Sequence, residues 1–442
     1  MIERPIHLSG DVYKFIGQDG PNLLDRLMPL TTWANKRLEL GVDSHCKVTA
    51  GFIRPRTVAT DRAGRVISGV NFASQDYLNL ASHPAVIAAA QKAAAVQGVH
   101  SAGSAALMGL SENTVLLEKE IAKWLGYREA TVFPTGWSAG FGIIKTLVRP
   151  NDHIVVDILA HACLMEGAHA ATKNVHFFPH LSATGMRSRV ARIRRDHPQA
   201  GILIVTESLF SMDADTPDLT MAVSIAREFG AILLVDCAHD LGCLGSDGRG
   251  HLSQQNVLGE VDVVIGSFSK TFASNGGFVA SNHPALKLAL RFTCGPQAFT
   301  NAMSPLQAAV VLKCLDIVRS AEGAARRIRL LENVCRLREG LVSHGFSTMG
   351  SASPIVPAIL GDSSLSRLIC SEVLRRGALV NLVEYPAVSK NTCRFRLQVM
   401  AEHEPEDIAE LCRAMAEAAA AARITLDEID QPARPLVFNT AN

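Results

Sequence analysis

Asp236 closes an apolar run, ILLVD, and Lys270 closes the next one 34 positions later. His239 follows the aspartate by three residues. Ser267 and Ser269 precede the lysine within VDVVIGSFSKTFASNGG (261–277), and a flexible Ser-Asn-Gly-Gly turn follows it. A lysine leaving an apolar core has a depressed pKa, because lost hydration disfavours the ammonium. The neutral amine is the form that makes imines with aldehydes. Taken singly, each residue has a plainer reading: the lysine reaches for solvent, and the aspartate and histidine simply leave a strand. Together they offer a carboxylate for a pyridine nitrogen and an amine for an aldehyde carbon. Those are the two partners that a pyridoxal phosphate (PLP) ring needs.

The elements that must hold these groups follow a βα rhythm that begins near residue 70. Short apolar, β-branched runs occur at 130–133, 153–156, 202–206, 232–236, 261–265 and 277–281. Between most of them lie helical patterns at 84–97, 113–125, 136–147, 188–195 and 217–229. The last is punctuated by Thr216 as N-cap, Pro217 at the first position and Gly230 as stop. Alternation of this kind predicts a mainly parallel sheet covered on both faces, with functional groups at the carboxyl ends of its strands.

Residues 1–55 read as an irregular arm with one helix near 23–38. A long helix over 305–338 leads away from the sheet. A smaller α+β region follows, with strands near 353–360 and 393–399, a helix near 405–422 and a loose tail over 427–442. The division expected is an arm (1–60), a large PLP-binding domain (61–320) and a C-terminal small domain (321–442).

Bulk composition narrows the class. Hydrophobic residues make up 48% and charged residues 19% of 442, which suits a well-buried globular enzyme. With 43 basic and 42 acidic residues, there is no electrostatic case for nucleic acid or an anionic membrane. The ten cysteines include no CxxC pair, so free thiols in a reducing cytoplasm are expected and a metal site is not. No signal-peptide core and no long apolar run point to export or a membrane span.

Six segments in order carry a resemblance: SQDYLNLASHP (74–84), TGWSAG (135–140), DILAHACLMEG (157–167), ESLFSMDADTPDL (207–219), VDCAHDLGCLGSDGRG (235–250) and SFSKTF (267–272). They resemble, over roughly residues 70–425, the α-oxoamine synthases of the fold-type I PLP enzymes. This family includes the serine palmitoyltransferase, 2-amino-3-ketobutyrate CoA ligase and 8-amino-7-oxononanoate synthase types. The resemblance implies an α/β fold: a large domain with a mainly parallel seven-stranded sheet, plus a smaller C-terminal α+β domain. It also implies a homodimer with a shared active site. The reaction implied is condensation of an amino acid with an acyl thioester, from CoA or an acyl-carrier protein, with loss of carbon dioxide to an α-aminoketone.

The same resemblance assigns roles. Lys270 would hold PLP as a Schiff base and move the proton at the amino acid's α-carbon. Asp236 would pair with the pyridine nitrogen, His239 and Ser211 would hydrogen-bond the phenolic oxygen, and His161 would stack on the ring. Gly136, Trp137 and Ser267 would hold the phosphate, and Thr300, in FTNAMSP (299–305), would reach the phosphate of a neighbouring subunit. Arg396, in the Arg-x-Arg strand of EYPAVSKNTCRFRLQV (384–399), would bind the substrate carboxylate. Arg394 is expected to be structural and to face the other way.

The chain departs from the family pattern at Gln75, at Ala105 in HSAGSAALMGL, at Thr114, at Cys163 and at Asp240. These changes are expected to gather where substrates lie, with Gln75 as a substrate-side residue. The opening motif, the Thr-Gly-Trp turn and the Lys-Thr-Phe-Ala run also resemble a bacterial branch that makes α-hydroxyketone autoinducer precursors. Transamination or aldol cleavage remains the alternative, with a non-catalytic subunit of a heterodimeric synthase behind it.

Overall fold

The computed structural model describes residues 4–17 and 19–430. In chain order its strands are β1 (Val48–Ala50), β2 (Arg56–Thr60), β3 (Val66–Asn71), β4 (Glu129–Phe133), β5 (His153–Asp157), β6 (Val175–Phe178) and β7 (Ile202–Glu207). Then come β8 (Ile232–Asp236), β9 (Val263–Ser267), β10 (Gly277–Ser281), β11 (Ile355–Gly361), β12 (Ala378–Leu379), β13 (Leu382–Val383) and β14 (Cys393–Gln398).

Seven strands form the central sheet in the order β4-β10-β9-β8-β7-β5-β6. All neighbours from β9 to β6 are parallel, and β10 alone runs antiparallel to both of its partners. Strands β5, β7, β9 and β10 are buried along their whole length, which is why they read as unbroken apolar runs. Alternation sends Val155, Ile204, Val235 and Val264 to one core and Ile154, Leu203, Leu234 and Ile265 to the other. The parallel strands β7, β8 and β9 end on Glu207, Asp236 and Ser267, side by side at one edge of the sheet.

Several boundaries differ from expectation, each for a local reason. Thr216 is not the N-cap: Asp218 accepts from Met221 N at 2.9 Å, and the helix is Leu219–Phe229, so Pro217 precedes the cap. Gly230 ends it as expected, in the left-handed conformation. The single helix expected over 305–338 breaks at Ser320, which caps a second helix, Ala321–Ser343. The break is a close elbow, since a Cβ on Gly323 would lie 2.3 Å from the Ile317 carbonyl oxygen. The helix at 188–195 starts earlier, at Ala183, because Ser182 caps it. The strand expected from 261 runs Val263–Ser267 instead.

The arm is more ordered than its pattern indicates. It holds the helix Met28–Glu39, and β1 joins β2, β3 and β12 in a four-stranded sheet. Strands β11, β14 and β13 form a separate antiparallel sheet. The last helix, Pro405–Asp430, runs into the segment expected to be a loose tail, and 431–442 lie outside the described residues. All ten cysteines are free, eight of them buried. Among the described residues no helix is long and apolar enough to cross a membrane.

Candidate active site

At the carboxyl edge of the central sheet lies a cavity of about 280 Å³. Its wall includes Glu207, Asp236 and Ser267 from the strand ends and Gly136 and Trp137 from a helix start. His161, His239 and Lys270 complete it. Lys270 also borders a second cavity of about 450 Å³, lined in addition by Gln75, Leu306 and Val310. The lysine therefore stands between two spaces. Among the described residues its side chain makes no hydrogen bond or close ion pair. Burial pushes its pKa down, the charge of Asp236 opposes that shift, and Arg396 adds to it. This is the environment an imine-forming amine needs.

Asp236 is buried, and one of its oxygens accepts from Ala238 N at 2.9 Å. Burial raises its pKa, while His161 and Lys270 pull it back. Glu207 sits opposite Asp236 in the β7–β8 ladder. Its pKa is raised well above the carboxylate range, first by burial and then by the charge of Asp236. Two adjacent buried carboxyls hold at least one proton between them, and here Glu207 keeps it.

His161 is the N-cap of the helix Ala162–Ala171, and its ring also lines the cavity. Its Nδ1 accepts from Cys163 N at 3.3 Å and lies 3.0 Å from Cys163 Sγ. Glu207 accepts from the His161 backbone N–H at 2.6 Å. These contacts fix the ring that the resemblance places against PLP. His239 Nδ1 lies 3.0 Å from the Tyr77 hydroxyl, a partner the sequence reasoning missed. Tyr77 lies within a quoted motif, but nothing in the spacing ties position 77 to position 239. Glu207 was missed for the same reason.

The opposite end of the cavity suits an anion. The helix Gly136–Leu147 is capped by Thr135, whose hydroxyl takes the Ser138 N–H. The N–H groups of Gly136 and Trp137 find no acceptor among the described residues, so they and the helix dipole are free for a phosphate. Ser267 stands beside them, its Oγ 2.7 Å from Ser269 Oγ. A Cβ on Gly136 would come within 2.6 Å of Ser267 Cβ, so only glycine leaves this end open. A buried carboxylate at one end, open N–H groups at the other and an amine at the side fit PLP in shape and in chemistry.

Arg394 and Arg396 do not face opposite ways. Residues two apart on a strand share a face, and both reach Met212: Arg394 donates to its carbonyl at 3.3 Å and Arg396 Nη1 lies 4.0 Å from its sulfur. What separates them is partnership. Arg394 is paired with Asp213, whereas Arg396 has no carboxylate partner among the described residues and its Nε is buried without one. Ser211 is buried but does not line the cavity. Thr300 is exposed, donates to the Pro296 carbonyl at 2.7 Å, and does not reach its own chain's cavity.

Of the five departures from the family pattern, Gln75 alone borders the second cavity. Cys163 lies against His161 on the PLP side. Thr114 bonds Ser111 at a helix start, Ala105 is buried, and Asp240 accepts from Ser208 Oγ at 2.8 Å and His251 N at 2.7 Å. Their polar groups are satisfied inside the fold.

A sequence model of the family described as aminotransferase class I and II matches residues 67–415. The chain is 34% identical over 368 residues to an 8-amino-7-oxononanoate synthase of Geobacter metallireducens, covering 82% of this chain and 93% of that one. It is 36% identical over 361 residues to the Salmonella paratyphi C protein of the same name, covering 80% and 92%. A solved serine palmitoyltransferase of Sphingomonas wittichii matches with TM-score 0.84 at 29% identity, over 91% of this chain and 99% of that one. A structure of SPT with its PLP internal aldimine matches with TM-score 0.84 at 30% identity, over 91% and 100%. The chain belongs to the aminotransferase class I and II family, and within it to the PLP-dependent α-oxoamine synthases.

Proposed function

We propose that this enzyme joins an amino acid to an acyl thioester, carried by CoA or by an acyl-carrier protein, and releases carbon dioxide to leave an α-aminoketone. The observation that carries the reading is the position of Lys270 between two cavities: one shaped for PLP, the other open to a second substrate.

PLP, when bound, supplies an electrophilic carbon for an amine and an electron sink for the bond broken at the amino acid's α-carbon. The chain's own residues do the rest. Asp236 would hold a proton on the ring nitrogen, and His239 would hydrogen-bond the phenolic oxygen. His161 would cover one ring face. Gly136, Trp137 and Ser267 would bind the phosphate. Arg396 takes the amino acid's carboxylate with its bidentate fork. Lys270, its pKa pushed down by burial, removes the α-proton and returns it.

The partner reading is a homodimer in which Thr300 serves the neighbouring phosphate. Its support is that Phe299 is 90% exposed and Met108 is 92% exposed, on two segments joined by the Ser104–Asn301 bridge. We place the protein in the cytoplasm, a reading that ten free cysteines support. We keep the division at residues 60 and 320 as our reading of the domains.

The test is product analysis of the PLP-loaded enzyme with amino acids and acyl thioesters. An aminoketone formed together with free thiol and carbon dioxide supports the proposal. A keto acid with the pyridoxamine form, or an aldehyde from aldol cleavage, overturns it.

A further inference from the structure

Outside the cavity, a row of charges links the central sheet to the strand that bears Arg396. Asp157 ends β5 and is fully buried. One of its oxygens lies 2.8 Å from His180 Nδ1, and the other accepts from Leu181 N at 3.0 Å. His180 Nε2 lies 3.2 Å from both oxygens of Asp215. Two residues earlier, Asp213 pairs with Arg394 on β14.

Between the two aspartates, Ala214 has φ of +56°, left-handed backbone that a non-glycine residue rarely adopts. Something must hold Ala214 in that conformation, and two independent ties do. Its carbonyl accepts from Ser351 N at 2.8 Å and Ser351 Oγ at 3.1 Å, while the flanking carboxylates are drawn apart, Asp215 to the sheet and Asp213 to β14. The same loop carries Met212, which touches both Arg394 and Arg396.

We propose that His180 is a positioning residue: through Asp215 and Asp213 it fastens the Met212 loop and Arg394 to the sheet, and so sets where Arg396 meets the amino acid's carboxylate. This rests on the reading of Arg396 given above. The groups facing His180 are Asp157 from β5, Asp213 and Asp215 from the loop, Arg394 beyond them, and the ring of Phe210, edge-on at 4.5 Å. Burial lowers the His180 pKa, but the hydrogen bonds and charges of Asp157 and Asp215 outweigh it and push it up to about 10. The imidazole is therefore a cation at neutral pH. Without it, Asp157 and Asp215 face each other across the same space with nothing between them, and the loop moves away from the sheet.

The experiment uses the PLP-loaded enzyme and the amino acid that perturbs its visible spectrum. Amino-acid Kd and KM, thioester KM and kcat are measured for the wild type, His180→Gln, His180→Gln/Asp215→Asn and Arg396→Ala. The expected result is that His180→Gln raises amino-acid Kd and KM about tenfold, with thioester KM and kcat within about threefold. Replacing Asp215 by Asn in the same chain, which removes one of the two opposed charges, recovers part of the loss.

If Arg396→Ala weakens amino-acid binding while His180→Gln only lowers the melting temperature, the positioning role is overturned and the Arg396 reading stands. If Arg396→Ala leaves amino-acid binding unchanged, that reading fails and the proposal falls with it. Should His180→Gln not fold, His180→Lys, which keeps a cation but cannot bridge both aspartates, is measured in its place. It must show the same rise in amino-acid KM, or the proposal is wrong.

Discussion

The phenolic hydroxyl of Tyr77 lies 3.0 Å from Nδ1 of His239, and both side chains are buried. Burial pushes the Tyr77 pKa up, so the phenol keeps its proton. Burial, with the charges of Lys270 and Arg396, pushes the His239 pKa well down, so the ring is neutral. A protonated phenol donates to Nδ1, which places the imidazole proton on Nε2. His239 can then donate to an oxygen in the cavity rather than compete with it for protons.

Tyr77→Phe keeps the volume and deletes that constraint. One lost hydrogen bond of about 1 kcal/mol predicts a fall in kcat of about fivefold. Nitrogen NMR of His239 should change from one tautomer to a mixture. Unchanged ring-nitrogen shifts in the variant would mean that Tyr77 does not set the tautomer.

Gly136→Ala tests the phosphate end. The added methyl would stand 2.6 Å from Ser267 Cβ and 2.7 Å from Ser267 Oγ, so the helix start must shift away from the strand. The N–H groups shift with it. PLP affinity, measured by titrating the apoenzyme, should weaken at least about tenfold, the equivalent of one charge-assisted hydrogen bond. Unaltered affinity would show that the phosphate is held elsewhere.

Glu207 predicts a pH dependence with a definite sign. In the unfolded chain it ionises near the ordinary glutamate value of about 4.3. In the folded protein burial, together with the charge of Asp236, holds the proton to a much higher pH. Above about pH 4.3 the unfolded state therefore binds fewer protons than the folded one, and stability falls as pH rises. Glu207→Gln mimics the neutral acid and keeps an acceptor for the His161 N–H. Melting temperature of the apoprotein should decline less steeply towards alkaline pH in the variant than in the wild type. Equal slopes would place the retained proton on another group.

Much of the site was legible because its residues are punctuation. Asp236 and Ser267 end apolar strands, Lys270 follows one, and Gly136 starts a helix, so one-dimensional pattern alone puts them at one edge of a sheet. The parallel order of β5 to β9 follows from the same alternation. Tyr77 and Glu207 were not legible, since their importance comes from what packs against them across 162 and 29 positions respectively. The four-stranded sheet escaped notice because β12 is two residues long and finds β3 from far along the chain. Ser320 looked like one more helical position, because the elbow depends on Gly323 fitting against the Ile317 carbonyl. Pro217 drew the helix start two residues too early, since it precedes the Asp218 cap.

The central claim is that Lys270 is the residue that carries PLP. Visible absorption spectra of the wild type and Lys270→Ala, both purified in the presence of PLP, test it most directly. The account predicts a band in the wild type that borohydride abolishes, with the cofactor left covalently attached at Lys270, and no such band or attachment in the variant. A wild-type protein that shows no lysine-dependent band with PLP supplied, or a variant that keeps it, would contradict the account at its base.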